Sequence, residues 1–177
     1  MRIAETDGWI YLGNIDERYI LGQPGRRNML VFGVNPNTAV PGKDDPTIRK
    51  VRKLTAEAGY DGWIMGNLYP VIASHPKDLP QKPEKILLSN NLKYLRQVQD
   101  RYPIDAVWAA WGDAIDCRSY LGKALVDIQE KLDGDFEWFH RGTMTRKGNP
   151  RHPLYMKEGE LFTWFPVFDY ATYYMDC

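Results

Sequence analysis

Residues Met29 to Ala39 read MLVFGVNPNTA, an apolar run that gives way to Gly33-Val34-Asn35-Pro36-Asn37-Thr38. A run without polar alternation suits a strand covered on both faces, as in a parallel sheet flanked by helices. Such sheets bind ligands just beyond the carboxyl ends of their strands, which is where Asn35 stands. Gly33 permits close backbone approach. Pro36 pushes Asn35 toward extended geometry and fixes the direction in which the chain leaves. The plain alternative is an ordinary strand-to-loop turn, since Asn, Pro, Gly and Thr favour turns for local reasons.

Toward the N-terminus, Trp9 to Leu12 and Arg18 to Leu21 are short β-prone runs joined by Gly-Asn-Ile-Asp, the pattern of an antiparallel hairpin or a pair of edge strands. Gln23 to Asn28 is a polar Pro-Gly turn. On the other side, Val40 to Pro46 carries turn and cap residues, and Pro46 opens a helix marked by Ile48, Val51, Leu54, Thr55 and Ala58, with Gly59 or Gly62 to stop it. Trp63 to Gly66 is a second apolar strand, and it too delivers an Asn, at Gly66-Asn67-Leu68-Tyr69-Pro70. Val71 to Pro83 is loop. Leu88, Leu92, Leu95 and Val98 predict a helix ending near Arg101. Ile104 to Trp111 is a third buried strand, and Ala114 through Leu132 sets out one amphipathic helix closed by Gly134. Phe136 to Phe139 is a fourth strand, and Leu161 to Tyr174 is an aromatic-rich terminal strand or helix. Arg141 to Lys157 contains no acid, yet holds Arg146, Lys147, Arg151 and His152.

Strands alternating with helices predict a single α/β domain over residues 1–177, a three-layer α/β/α sandwich with a mainly parallel central sheet. In such a fold the loops carrying Asn35, Asn67, Trp111 to Asp113 and the basic segment converge on one pocket.

Composition narrows the classes. A chain of 177 residues that is 44% hydrophobic and 26% charged can bury a real core, which argues against disorder. No stretch approaches the roughly 20 apolar residues that span a bilayer, and the start lacks a signal core, so we expect a cytoplasmic, monomeric protein with no membrane partner. Cys117 and Cys177 are too few for a disulfide framework or a zinc site and read as reduced thiols. Neither a metal nor a cofactor is expected. Formal net charge is zero, so any site for a polyanion must be local, and a small ligand or single-stranded substrate suits the chain better than an extensive duplex footprint.

Gly33-Val34-Asn35-Pro36-Asn37-Thr38-Ala39, Asp44-Asp45-Pro46-Thr47-Ile48-Arg49, Gly66-Asn67-Leu68-Tyr69-Pro70, Ala110-Trp111-Gly112 and Gly148-Asn149-Pro150-Arg151-His152-Pro153-Leu154-Tyr155 resemble the motif series of domain-of-unknown-function family 1643. More distantly, the series is similar to the uracil-DNA glycosylase superfamily. That resemblance implies the glycosylase-like fold. It makes Asn35 the group that positions the attacking water, as in the mismatch-specific branch, Asn67 the reader of the base edge, and His152 the group that meets charge on the base carbonyl. The chain departs from that superfamily where it has Arg151-His152-Pro153-Leu154-Tyr155, in which no intercalating wedge is identifiable, and it carries no cysteine pattern for an iron–sulfur cluster.

The chemistry also follows from the residues. Cleaving an N-glycosidic bond builds oxocarbenium character on the sugar and negative charge on the departing base, so the site needs an oriented water and donors aimed at base carbonyls. Asn35 and His152 are the candidate catalytic residues. Gly33, Pro36, Asn67, Tyr69, Arg146, Lys147 and Arg151 are the candidate binding residues: Asn67 pairs with an amide-like base edge, Tyr69 stacks on it, and the basic residues meet phosphate. Asp44 and Asp45 read as caps or turn residues before metal ligands. Two functions stay open. One is a glycosylase-like hydrolase acting on uracil or a modified pyrimidine in DNA or in a free nucleotide; the other is a non-catalytic module binding a nucleotide or modified base.

Overall fold

The computed structural model describes residues 1–132 and 136–175. The expected helix stop at Gly134 and the thiol at Cys177 lie outside the described residues. In chain order, β1 (Ala4–Thr6), β2 (Trp9–Gly13) and β3 (Arg18–Gln23) form an antiparallel meander. The central strand β4 (Asn28–Gly33) follows, then α1 (Pro46–Glu57), β5 (Gly62–Asn67), α2 (Lys85–Arg101) and β6 (Ile104–Ala109). After α3 (Ser119–Lys131) come β7 (Trp138–Arg141), β8 (Phe162–Trp164) and the short α4 (Val167–Thr172).

The strands make one sheet in the order β1-β2-β3-β5-β4-β6-β7-β8. Its centre is parallel, β5 beside β4, β4 beside β6 and β6 beside β7, while β1, β2, β3 and β8 run antiparallel at the two sides. This corrects the expectation of a mainly parallel sheet: among the described residues three of seven strand pairings are parallel. The hairpin read at residues 9–21 continues as β3 pairs with β5, so it extends the main sheet instead of standing apart.

Side-chain alternation on the central strands explains their unbroken apolar sequence. On β4, Leu30 and Phe32 point into a cluster with Leu95 and Val98 of α2 and Leu121 and Leu125 of α3. Met29 and Val31 point the other way, to Ile48, Val51 and Leu54 of α1. Helices therefore cover both faces of Met29–Phe32, where a polar replacement would lose burial worth about 1.5–3 kcal/mol per large side chain.

The chain leaves β4 through α1 to reach β5 on one side, then returns through α2 to β6 on the other. Crossovers of fixed hand running in opposite directions put their helices on opposite faces, which opens a crevice at the carboxyl ends of β4 and β6.

One helix expectation is also corrected. The segment Ala114 to Leu132 is not continuous: a 3₁₀ turn at Gly112–Cys117 is followed by extended backbone at Arg118, where α3 begins. The apolar spacing survives the break, so periodicity alone could not reveal it.

Candidate functional site

The crevice holds a cavity of about 780 Å³. Its walls come from the end of β4 and the loop beyond it, the start of α1, the 73–76 loop, the Trp111–Ala114 turn and the basic segment 145–155.

Asn35 sits on that wall with its amide fixed. Its side-chain nitrogen donates to the Pro36 carbonyl at 2.9 Å and the Ala73 carbonyl at 2.8 Å, which commits both N–H groups to backbone. Two carbonyl partners also decide which end of the amide is nitrogen. Among the described residues no donor is bonded to Oδ1, so a hydrogen-bond acceptor remains at the cavity. Pro36, a candidate binding residue, is buried and does not line the cavity. Its carbonyl holds Asn35 and also accepts from the Ala73 N–H at 3.0 Å.

Asn67 lies beneath the wall. It is 1% exposed, and neither end of its side-chain amide has a hydrogen-bond partner among the described residues. Gly33 is its register partner across β4 and β5 and does line the cavity. A methyl group at Gly33 would come within 3.2 Å of Asn67 Oδ1, so the glycine is the thin layer between that oxygen and the cavity, which Asn67 itself does not line. An unpaired buried amide is costly, about 1–3 kcal/mol, and native structures retain few of them.

His152 reaches the site because Gly112 has no side chain. Gly112 adopts φ +62, and a Cβ there would lie 3.2 Å from His152 Cβ. The Leu154 N–H donates to His152 Nδ1 at 3.3 Å, so the neutral ring carries its proton on Nε2. Burial pulls the ring from its ordinary 6.5 down to about 4, against a weaker upward pull from Asp45. His152 is thus a neutral donor at physiological pH.

Of the cavity's charged groups the sequence reading missed Arg18 and took Asp45 only as a cap or turn residue. Arg18, read only as the start of a strand, is 2% exposed and lines the cavity. Its Nη1 donates to the carbonyls of Ala39 at 2.7 Å and Asn37 at 3.4 Å, tying the Asn35 loop to β3. Burial lowers its pKa from 12.5 to about 10, with Asp45 opposing. Asp45 is 7% exposed, caps α1 by accepting the Ile48 N–H at 2.8 Å, and lines the cavity as well. The signal for Arg18 was available: it is the charged member of a run, RYILGQ, that is otherwise apolar or small up to its last residue.

The basic segment is braced on one side and open on the other. The Thr145 hydroxyl and the Asn149 amide both donate to Asp113 Oδ1, at 2.6 and 2.9 Å, and those bonds, Thr145 foremost, hold the Asp113 carboxyl below its usual range. The Gly112 N–H donates to the Pro150 carbonyl at 2.8 Å. Trp111, fully buried, donates from Nε1 to the Tyr170 hydroxyl, which in turn donates to Asn149 Oδ1 at 2.7 Å. Arg146 and Arg151 line the cavity, whereas Lys147 pairs with Asp116 at 3.2 Å and does not.

The proposed stacking role of Tyr69 is corrected. Tyr69 is 0% exposed, packs its ring on Tyr120 at 5.1 Å, and accepts the Glu84 N–H. A Tyr two residues after a strand-end Asn folds back into the core because the loop itself turns inward, with the Tyr69 N–H bonded to the Val34 carbonyl.

The 73–76 wall, which includes His75, is anchored from behind. Arg118 Nε donates to the Leu79 carbonyl at 3.0 Å and the Pro80 carbonyl at 3.2 Å, and its Nη2 donates to Lys77 and Leu79.

No curated protein and no solved structure matches the chain. A family model described as "Protein of unknown function (DUF1643)" matches residues 18–154, the span that carries Arg18, Asn35, Asp45, Asn67 and His152. With that model covering well over half of its length, the chain belongs to the DUF1643 family.

Proposed function

We propose that this cavity recognises a nucleobase and hydrolyses the N-glycosidic bond of uracil or a related pyrimidine, held either in DNA or in a free nucleotide. The observation that carries the reading is the pair of strand-end amides: Asn35, clamped so that an acceptor remains at the cavity, and Asn67, unpaired beneath Gly33. In this mechanism Asn35 Oδ1 accepts a hydrogen bond from water and aims its lone pair at the anomeric carbon. The carbon–nitrogen bond breaks with its electron pair passing to the base, water oxygen bonds to the carbon, and the water's proton leaves to solvent. Asn67 offers a donor and an acceptor to the pyrimidine edge. The Nε2–H of neutral His152 meets the charge growing on a base carbonyl, and because that donor is fixed beforehand it acts without reorganisation.

Incubation with oligonucleotides bearing uracil, 5-hydroxymethyluracil or mismatched thymine, scored for abasic sites, tests this reading together with a nucleoside and nucleotide hydrolysis assay. Release of base from any of them supports it; binding without release favours the second reading, a module that binds a nucleotide or modified base. That reading draws on the neutrality of Asn35 and His152, since neither can take up a proton as a strong general base.

A further inference from the structure

Arg18 stands out among the charges of the cavity because its burial is not matched by a partner. It is 98% removed from solvent, its Nη1 is bonded only to backbone carbonyls, and its Nε has no acceptor among the described residues. Among those residues no carboxylate lies within ion-pair distance of it. The carboxylate that acts on it, Asp45, has Oδ1 occupied by the Ile48 N–H. A buried cation is expensive unless it is paired. Carbonyl dipoles compensate part of that cost, and the remainder is available to an anion entering the cavity.

We propose that Arg18 is the seat of a terminal phosphate, and that the cavity takes a free nucleoside monophosphate whole, with the phosphate at Arg18 and the base at Asn67. The base end rests on the nucleobase reading above; the phosphate end rests on different residues. Guanidinium is the group suited to a phosphate, which it meets through a planar fork of donors. Depth separates a terminal phosphate from one inside a strand. A phosphodiester continues into chain at both of its ester oxygens, so bringing it to a residue 2% exposed would require threading the strand through the cavity. A monoester ends there. The volume, about 780 Å³, is in the range of cavities that enclose a small ligand. Arg146 and Arg151, counted with Arg18, outweigh the lining carboxylates Asp45 and Asp113 by one charge and so favour an anion, while the chain's zero net charge provides no broad basic face for a duplex.

The test is calorimetric titration of the full chain with deoxyuridine monophosphate, the common ribonucleoside monophosphates, deoxyuridine, inorganic phosphate and a single-stranded oligonucleotide containing one uracil. A nucleotide should bind about tenfold to a hundredfold more tightly than the nucleoside, and inorganic phosphate should compete with it. Arg18→Met should erase that advantage and leave nucleoside affinity within a few-fold. If the nucleoside binds as well as the nucleotide, if the oligonucleotide binds more tightly than either, or if no phosphate-bearing probe binds, the phosphate seat is overturned. An equal loss of nucleoside and nucleotide in a folded Arg18→Met reduces Arg18 to an anchor of the Asn35 loop, which also overturns it. Should Arg18→Met fail to fold, the wild-type comparison decides by itself. Nucleotides bound without regard to the base keep the phosphate seat and remove the nucleobase reading.

Discussion

Gly33 and Asn67 face one another in register across β4 and β5, and a single methyl group on the glycine would stand 3.2 Å from the Asn67 amide oxygen. The same methyl would come within 2.8 Å of Met65 Cε, the mobile end of a flexible side chain. Gly33→Ala should therefore fold, at a cost of about 1 kcal/mol for mild overpacking, while thickening the layer between the cavity and Asn67. We expect loss of base discrimination with anion binding intact, read by titration with a panel of nucleotides. Unchanged discrimination would mean that the amide is not used.

Asn67 itself should reveal a conflict between stability and function. Because its amide has no partner among the described residues, Asn67→Leu replaces an unpaired buried polar group by an apolar one of similar volume. The variant should be more stable than wild type by about 1–3 kcal/mol, a rise visible in thermal melts, and should no longer select among bases. Destabilisation would point to a hidden structural partner.

Asn35→Ala separates turnover from binding. A group that positions water acts mainly in the transition state, so kcat should fall by about 10²-fold or more while ligand affinity holds. Melting curves must accompany the kinetics, since the Asn35 amide also links the Pro36 and Ala73 carbonyls. Parallel losses in affinity and kcat would make it a loop strut.

The depressed pKa of His152 has a signed consequence. Unfolded, the ring takes up a proton near 6.5; folded, it resists until about 4. Between those values the unfolded state binds more protons, so unfolding free energy rises with pH in that window and stability is lost as pH falls through it, by about 3 kcal/mol in all. His152→Gln should lack that acid limb, seen as the difference between two denaturation series from pH 7 to pH 4. Turnover that depends on the neutral ring should persist to about pH 5, and an inflection near 6.5 would contradict the assignment.

Basic residues of the 145–155 segment should not contribute equally. Arg146→Ala and Arg151→Ala should weaken nucleotide binding and flatten its salt dependence. Lys147→Ala, which breaks a surface pair with Asp116, should leave both within error. Equal effects from all three would assign the segment a diffuse electrostatic role.

How much of this was legible follows from how local each signal is. The strand at Met29–Gly33, the capped helix from Pro46 and the two strand-end amides are written in consecutive residues, and the structure has them where the pattern puts them. The inward turn of Tyr69, the break before α3 and the mixed sense of the sheet depend on pairings between distant segments, such as Leu21 with Met65 on β3 and β5, which periodicity does not encode. Arg18 was visible as a charge but not as a site, because its contacts at Asn37 and Ala39 come from a loop about twenty residues further along the chain.

The Arg118 guanidinium binds the carbonyls of Lys77, Leu79 and Pro80 from the residue just before α3. Segments remote in sequence are thereby riveted, the stretch that follows His75 being tied to the residue that follows the Gly112–Cys117 turn. A wall built this way is ready before any ligand arrives. The tempo of binding is then set by encounter and by passage through the mouth, with no slow step of assembly before it.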